Sequence, residues 1–182
     1  MGKPCTEIDE TTRRFIEAQR VFFVGSAPLD RNGHVNVSPK GLDTLRILDP
    51  RTVAYLDLTG SGVETIAHAK ENGRVTLMFC SFEGPPKILR LYGRSSVVEP
   101  HQREFESLRG RFPDYPGARA IIVIALSRVA DSCGYAVPIL HYEKEREQLA
   151  AWTRNRGPQG LETYRREKNR SSIDALPGLT DA

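Results

Sequence analysis

The sequence predicts a mainly β, α+β fold: an antiparallel barrel with peripheral helices and a C-terminal helical extension. Three observations carry this expectation. About six short apolar segments follow one another across turn residues, as in barrels. They are mostly joined by short turns with one helix inserted, so the strand–helix alternation of a doubly wound sheet is absent. Beyond Pro138 the texture changes to charged, helix-spaced residues. At about 150 residues per domain, the 182 residues make one domain with an appendage. The barrel is assigned to residues 1–140 and the extension to residues 141–182.

Residues 6–19 read as a helix, with Ile8, Phe15 and Ile16 near one face. Residues 21–26 form a strand, Asn32-Gly33 is a hairpin turn, and residues 34–38 return with alternating polarity. Residues 51–58 are a third strand, ending in Thr59-Gly60-Ser61-Gly62. Residues 64–72 form a short helix, closed by Asn72-Gly73. Residues 74–80 and 87–92, the latter extending toward 98, are strands on either side of the breaker Glu83-Gly84-Pro85-Pro86. Residues 101–109 form a charged helix, and residues 120–126, the most apolar run, a central strand. In the extension, Leu149 with Trp152 and Leu161 with Tyr164 mark two helices on either side of Gly157-Pro158. Both are too polar and short to stand alone, so they are expected to pack on the barrel or on a partner subunit.

Charge and composition exclude several functions. Net charge is +3, from 26 Lys and Arg against 23 Asp and Glu. Residues 141–182 hold eight basic and seven acidic side chains, so the basic residues are not gathered as in a nucleic-acid binder. No apolar run approaches the roughly 20 residues of a membrane span. The opening Met1-Gly2-Lys3-Pro4-Cys5 has no apolar leader core behind it. The expectation is a soluble, cytoplasmic protein with no nucleic-acid or membrane partner. Cys5, Cys80 and Cys133 lie far apart and read as free, mostly buried thiols. His34, His68, His101 and His141 have no metal-ligand neighbour at turn or helix spacing, so no metal site is expected. No Gly-x-Ser-x-Gly elbow and no complete dinucleotide fingerprint is present.

Three places carry candidate chemistry. The Thr59-Gly60-Ser61-Gly62 turn opens a helix, where backbone N–H groups and the helix dipole favour a phosphate. A plain capping box, Ser61 with Glu64, explains the same residues without a ligand. Lys40, after Ser38-Pro39, stands where a barrel rim would aim an ammonium at an anion, or is simply a solvated turn lysine. Pro39 cannot donate to a central ladder, so its strand ends there or lies at an edge. Lys87 and Arg90, three apart in an apolar strand, fall on opposite faces, and whichever is buried needs an anionic partner, carboxylate or phosphate.

Taken in order, several stretches resemble the pyridoxamine 5′-phosphate oxidase-like, FMN-binding split β-barrel superfamily. They are Phe22-Phe23-Val24-Gly25-Ser26-Ala27, His34-Val35-Asn36-Val37-Ser38-Pro39-Lys40-Gly41 and Tyr55-Leu56-Asp57-Leu58-Thr59-Gly60-Ser61-Gly62. Glu71-Asn72-Gly73-Arg74-Val75-Thr76-Leu77-Met78-Phe79 and Lys87-Ile88-Leu89-Arg90-Leu91-Tyr92-Gly93-Arg94 continue the series, and the resemblance spans about residues 8–130.

The resemblance implies an antiparallel split barrel and a homodimer with two FMN sites between subunits. The strand carrying Asn36, Ser38, Pro39 and Lys40 would run along the flavin. Thr59, Gly60, Ser61, Gly62 and Glu64 would lie near its phosphate and ribityl chain, and Lys87 and Arg90 would approach the ring from the other side. Family oxidases carry an Arg-Lys pair after the Gly-Ser of the turn, where this chain has Gly62-Val63. Lys40 is then the expected main cation for the phosphate. The terminal Arg-x-His element for the vitamin substrate is replaced by Asp174-Ala175-Leu176-Pro177-Gly178-Leu179, so pyridoxal phosphate synthesis is not expected. The implied activity is an FMN-dependent oxidoreductase acting on a small-molecule substrate, with catalytic residues unassigned. The alternatives are a flavin- or haem-binding module without turnover and a deazaflavin-dependent reductase.

Overall fold

Alternating burial accounts for most of the sheet. The structure, a computed structural model, describes residues 5–181, so the leader expectation at residues 1–4 lies outside the described residues. Among these, seven strands form one sheet: β1 (Phe22–Ser26), β2 (Asn36–Lys40), β3 (Leu45–Asp49), β4 (Thr52–Leu58), β5 (Arg74–Cys80), β6 (Ile88–Val98) and β7 (Ala118–Ser132). Their order is β2-β1-β5-β6-β7-β4-β3, and every pairing is antiparallel.

Sequence reading missed β3. Leu45-Arg46-Ile47-Leu48-Asp49 lacks the alternation of a half-buried strand, and no residue in it is fully buried. β2 starts and ends two residues later than expected. It runs through Pro39 because it is a sheet edge, where a missing N–H costs nothing.

The sheet curls into a barrel that stays unsealed. Phe22 on β1 and Tyr55 on β4 are distant in the strand order, yet their rings meet edge-on with centroids 5.7 Å apart. Val24, Val53, Leu77, Phe79, Leu91, Ile122 and Ile124 fill the interior with them. Each such side chain contributes about 1.5–3 kcal/mol through burial. The edge strands β2 and β3 share no ladder and are linked by residues 41–44.

Among the described residues, four helices surround the barrel. α1 (Glu10–Glu17) begins after Asp9, whose carboxylate accepts the Thr12 N–H at 2.7 Å. α2 (Glu64–Glu71) links β4 to β5 and ends at Gly73 with φ 69°, a left-handed position suited to glycine. α3 (Glu104–Arg109) precedes β7. α4 (Gln148–Lys168) is interrupted at Gly157, φ 63°, which is not helical, so it consists of the two expected helices joined at that residue. The Trp152 and Tyr164 rings stack edge-on at 5.0 Å. On a straight helix these residues would stand about 18 Å apart.

From Asn169 onward the chain straps over α2 of its own barrel. Leu179 joins the core beside Val63, the Leu179 N–H donates to Asn169 O at 2.8 Å, and Thr180 N–H donates to Glu99 at 2.8 Å. The thiols are free, but only Cys80 is buried; Cys5 and Cys133 lie outside the barrel interior and are exposed. No helix among the described residues is long and apolar enough to cross a membrane.

Candidate functional site

Asp57 sits fully buried on β4 with its two oxygens divided between two cations. Lys40 Nζ donates to Oδ1 and Arg119 Nε to Oδ2, each at 2.7 Å. Burial alone would raise its pKa, but the Arg119 and Lys40 charges outweigh that and hold it at about 2. The nearby Tyr55 hydroxyl is also buried and stays protonated, burial and the Asp57 charge both pushing its pKa up.

The turn after β4 is held from beneath. Thr59 donates to Gly117 O through both its N–H (2.7 Å) and its hydroxyl (2.8 Å). Gly60 O accepts from Arg119 Nη1 at 3.2 Å and Asn169 Nδ2 at 2.9 Å, and Gly62 O accepts from Arg119 Nη2 at 2.8 Å. In a trans peptide the C=O and N–H point in opposite directions. With both carbonyls turned inward, the Ser61 and Val63 N–H groups face away from the guanidinium. Among the described residues, the amides from Gly60 to Val63 donate to no protein acceptor. Gly60 is open on its outer side, where a Cβ would meet nothing within 4 Å.

A third cation arrives from α4. Arg165 Nε donates to Thr59 Oγ1 at 2.9 Å, and its Nη2 to Ala118 O at 2.9 Å. No carboxylate pairs with it among the described residues. Burial and then the neighbouring Arg119 charge push its pKa down. Two cations thus hold one fully buried carboxylate and a third stands at the turn beside them, an excess of positive charge that attracts an anion.

Asn36 and Ser38 share the inner face of β2 with Lys40. Asn36 Nδ2 donates to Ser38 Oγ (3.1 Å) and to Thr65 Oγ1 on α2 (3.0 Å), so this polar row abuts the first turn of that helix. Pro39 faces outward with Val37 and is exposed. The expected capping box does not form. Val63 occupies the N-cap without a side-chain bond, Ser61 lies outside the helix, and Glu64 turns its carboxylate to the Ile173 N–H at 3.3 Å. A tail strapped over α2 offers Glu64 a backbone donor that competes with the cap.

Lys87 and Arg90 are not brought to this cluster. Lys87 precedes β6, lies over the Phe15 ring at 4.9 Å and stands 3.7 Å from Asp131. Arg90 donates to Ser132 Oγ at 3.1 Å. Arg90 pairs with Ala130, whereas Leu58 pairs with Ala118, so the two lie against opposite stretches of β7. Sequence reading also missed Arg119 and Arg165. Arg119 was visible as a lone charge heading the most apolar run, but Arg165 carried no signal in a helix of mixed charge.

A curled antiparallel sheet, unsealed between β2 and β3 and ringed by cations at the β4–α2 turn, defines a split-barrel protein. The chain belongs to the pyridoxamine 5′-phosphate oxidase family, whose model matches residues 8–133. A pyridoxamine 5′-phosphate oxidase family protein of Aspergillus flavus, ustO, is 40% identical over 194 residues, 96% of this chain and 77% of its own. The match with ustO therefore runs on into the extension, beyond the family model. The fold is shared with HupZ of Group A Streptococcus, at 22% identity and TM-score 0.53, over 68% of this chain and 93% of that one. It is shared too with an FAD-binding protein of Mesorhizobium loti, at 14% identity and TM-score 0.50, over 66% and 89%.

Proposed function

We propose that this chain is a flavin-dependent oxidoreductase that binds FMN between two copies of itself and acts on a small molecule. The observation that carries the reading is the β4–α2 turn. Its carbonyls are drawn inward onto Arg119, its amides are left for a ligand, and an uncompensated Arg165 lies beside it. Free amides and excess positive charge fit the phosphate end of FMN. The Asn36–Ser38–Thr65 row offers hydroxyl and amide groups suited to the ribityl chain. The flavin of the Mesorhizobium loti relative supports the same class of cofactor.

Bound FMN would supply the redox chemistry, accepting or passing on an electron pair. The chain's own work is binding and charge. Arg90 donates to a neutral hydroxyl rather than to a carboxylate among the described residues, so its charge is suited to steadying an anionic reduced ring. In this reading Arg90 and the turn hold the same flavin from different chains of a homodimer. The test is the absorption spectrum of the purified protein and the mass of what denaturation releases. FMN with flavin absorption is expected. A colourless protein that takes up no added flavin would overturn the reading, and a haem or deazaflavin spectrum would replace the cofactor.

A further inference from the structure

We propose that the C-terminal extension completes the FMN phosphate site through Arg165, which with Arg119 supplies the charge that Gly62-Val63 lacks. The inference rests on the FMN reading above and assigns its phosphate subsite to a residue outside the family-matched segment.

The first argument is a charge count. Lys40 and Arg119 share Asp57, and Arg165 brings a further charge with no carboxylate of its own among the described residues. A partly desolvated guanidinium held beside a second one is unfavourable unless an anion joins them. Arg165 uses Nε and Nη2 on Thr59, Gly117 and Ala118, and its Nη1 donates to nothing among the described residues. One nitrogen is therefore left for a ligand at the edge of the open turn.

The second argument is steric, and explains why the charge cannot come from the usual place. Val63 is buried against the tail, where a Cβ on Gly178 would already lie 3.0 Å from its methyl groups. The space a Cβ on Gly62 would need is taken by the Glu64 carboxylate. A long cation at position 63 would displace the strap that runs from Asn169 to Leu179, and one at position 62 would push aside the Glu64 carboxylate that accepts the strap's Ile173 N–H. The same strap positions the helix arm bearing Arg165, since Asn169 ties it to Gly60. Loss of the Arg-Lys pair and gain of Arg165 are thus two consequences of one docked tail.

The experiment titrates FMN and riboflavin, which lacks the phosphate, into wild type, Arg165→Gln and Arg165→Lys, with thermal unfolding as the check on folding. Arg165→Gln should weaken FMN by roughly ten- to a hundredfold, the worth of one charge-assisted hydrogen bond, and leave riboflavin unchanged. Equal weakening of both flavins, or none, overturns the proposal while leaving the FMN reading intact. Should Arg165→Gln fail to fold, Arg165→Lys decides: an FMN-selective loss supports the site, and an equal loss for both flavins overturns it. If wild type binds neither flavin, the FMN reading fails separately, and inorganic phosphate becomes the probe. Thermal stabilisation by phosphate that disappears in Arg165→Gln then upholds the anion site, and its absence from wild type overturns it.

Discussion

Lys40 Nζ lies 2.7 Å from Asp57 Oδ1, and this ion pair spans the split between the two ends of the sheet. β2 ends in Lys40, while β3 forms the opposite edge with β4 and its Asp57 beside it. Where a closed barrel would place a ladder of backbone hydrogen bonds, this one places a charged contact. Lys40 therefore serves closure of the barrel, and its charge is already engaged.

Lys40→Met should accordingly destabilise the fold by about 1.5–3 kcal/mol, the range for a hydrogen bond between charged groups. Urea unfolding at neutral pH measures this as a lower midpoint with an unchanged slope. FMN and riboflavin should weaken together, through a loosened barrel. Selective loss of FMN would return Lys40 to the phosphate.

Asp57→Asn should cost more, because it leaves two cations at a buried position without their carboxylate. Breaking one side of a buried ion cluster costs about 3–5 kcal/mol. The pH dependence follows from the depressed carboxyl, about 2 in the fold against an ordinary value of 3.8. Its contribution is fully present above pH 3.8 and is lost as pH falls through about 2. Acid unfolding of the wild type should steepen between those limits by on the order of 2 kcal/mol. Asp57→Asn should lack that limb, and an identical acid profile in both proteins would contradict the assignment.

Much of this was legible in the residues. Apolar runs bounded by turn residues set β1, β4 and β5 to within a residue, and Asn72-Gly73 marked the end of α2 because a left-handed residue follows that helix. β3 was invisible, since an edge strand that is half-buried throughout has neither alternation nor a solid apolar run. The turn was found from its glycines and Lys40 from its place after β2's serine and proline, yet Arg119 and Arg165 were not. Arg119 sits 57 residues from Gly62 in sequence, and Arg165 sits 106 from Thr59. Only the curl of the sheet and the bend at Gly157 bring them together, and no local pattern encodes either distance.

Leu179→Ala tests whether the strap belongs to the core. Leu179 is only 8% exposed and packs in the main cluster beside Val63. A buried Leu→Ala change costs about 2–5 kcal/mol. Hydrogen exchange should show faster opening of α2 and of residues 169–180 together, with β6 and β7 protected. A loss under about 0.5 kcal/mol, the size of an ordinary surface change, would mean that the tail rests on the barrel without supporting it.

The last prediction concerns assembly, and follows from the proposed two-chain site. Light scattering should return twice the 20.4 kDa chain mass at micromolar concentration. A sharper test pairs two damaged chains. Gly60→Asp places a carboxylate on the open side of the turn, where nothing lies within 4 Å to disturb folding, and should repel the phosphate. Arg90→Ala removes the distant cation of the ring contact. If each FMN is held by the turn of one chain and Arg90 of the other, a heterodimer of the two variants has one intact site and one damaged twice. Half of its sites should then bind FMN with wild-type affinity, while both variant homodimers bind weakly. Sites contained within single chains would leave no intact site in the mixture. Uniformly weak binding by the heterodimer, or a 20.4 kDa particle in solution, would defeat the two-chain arrangement.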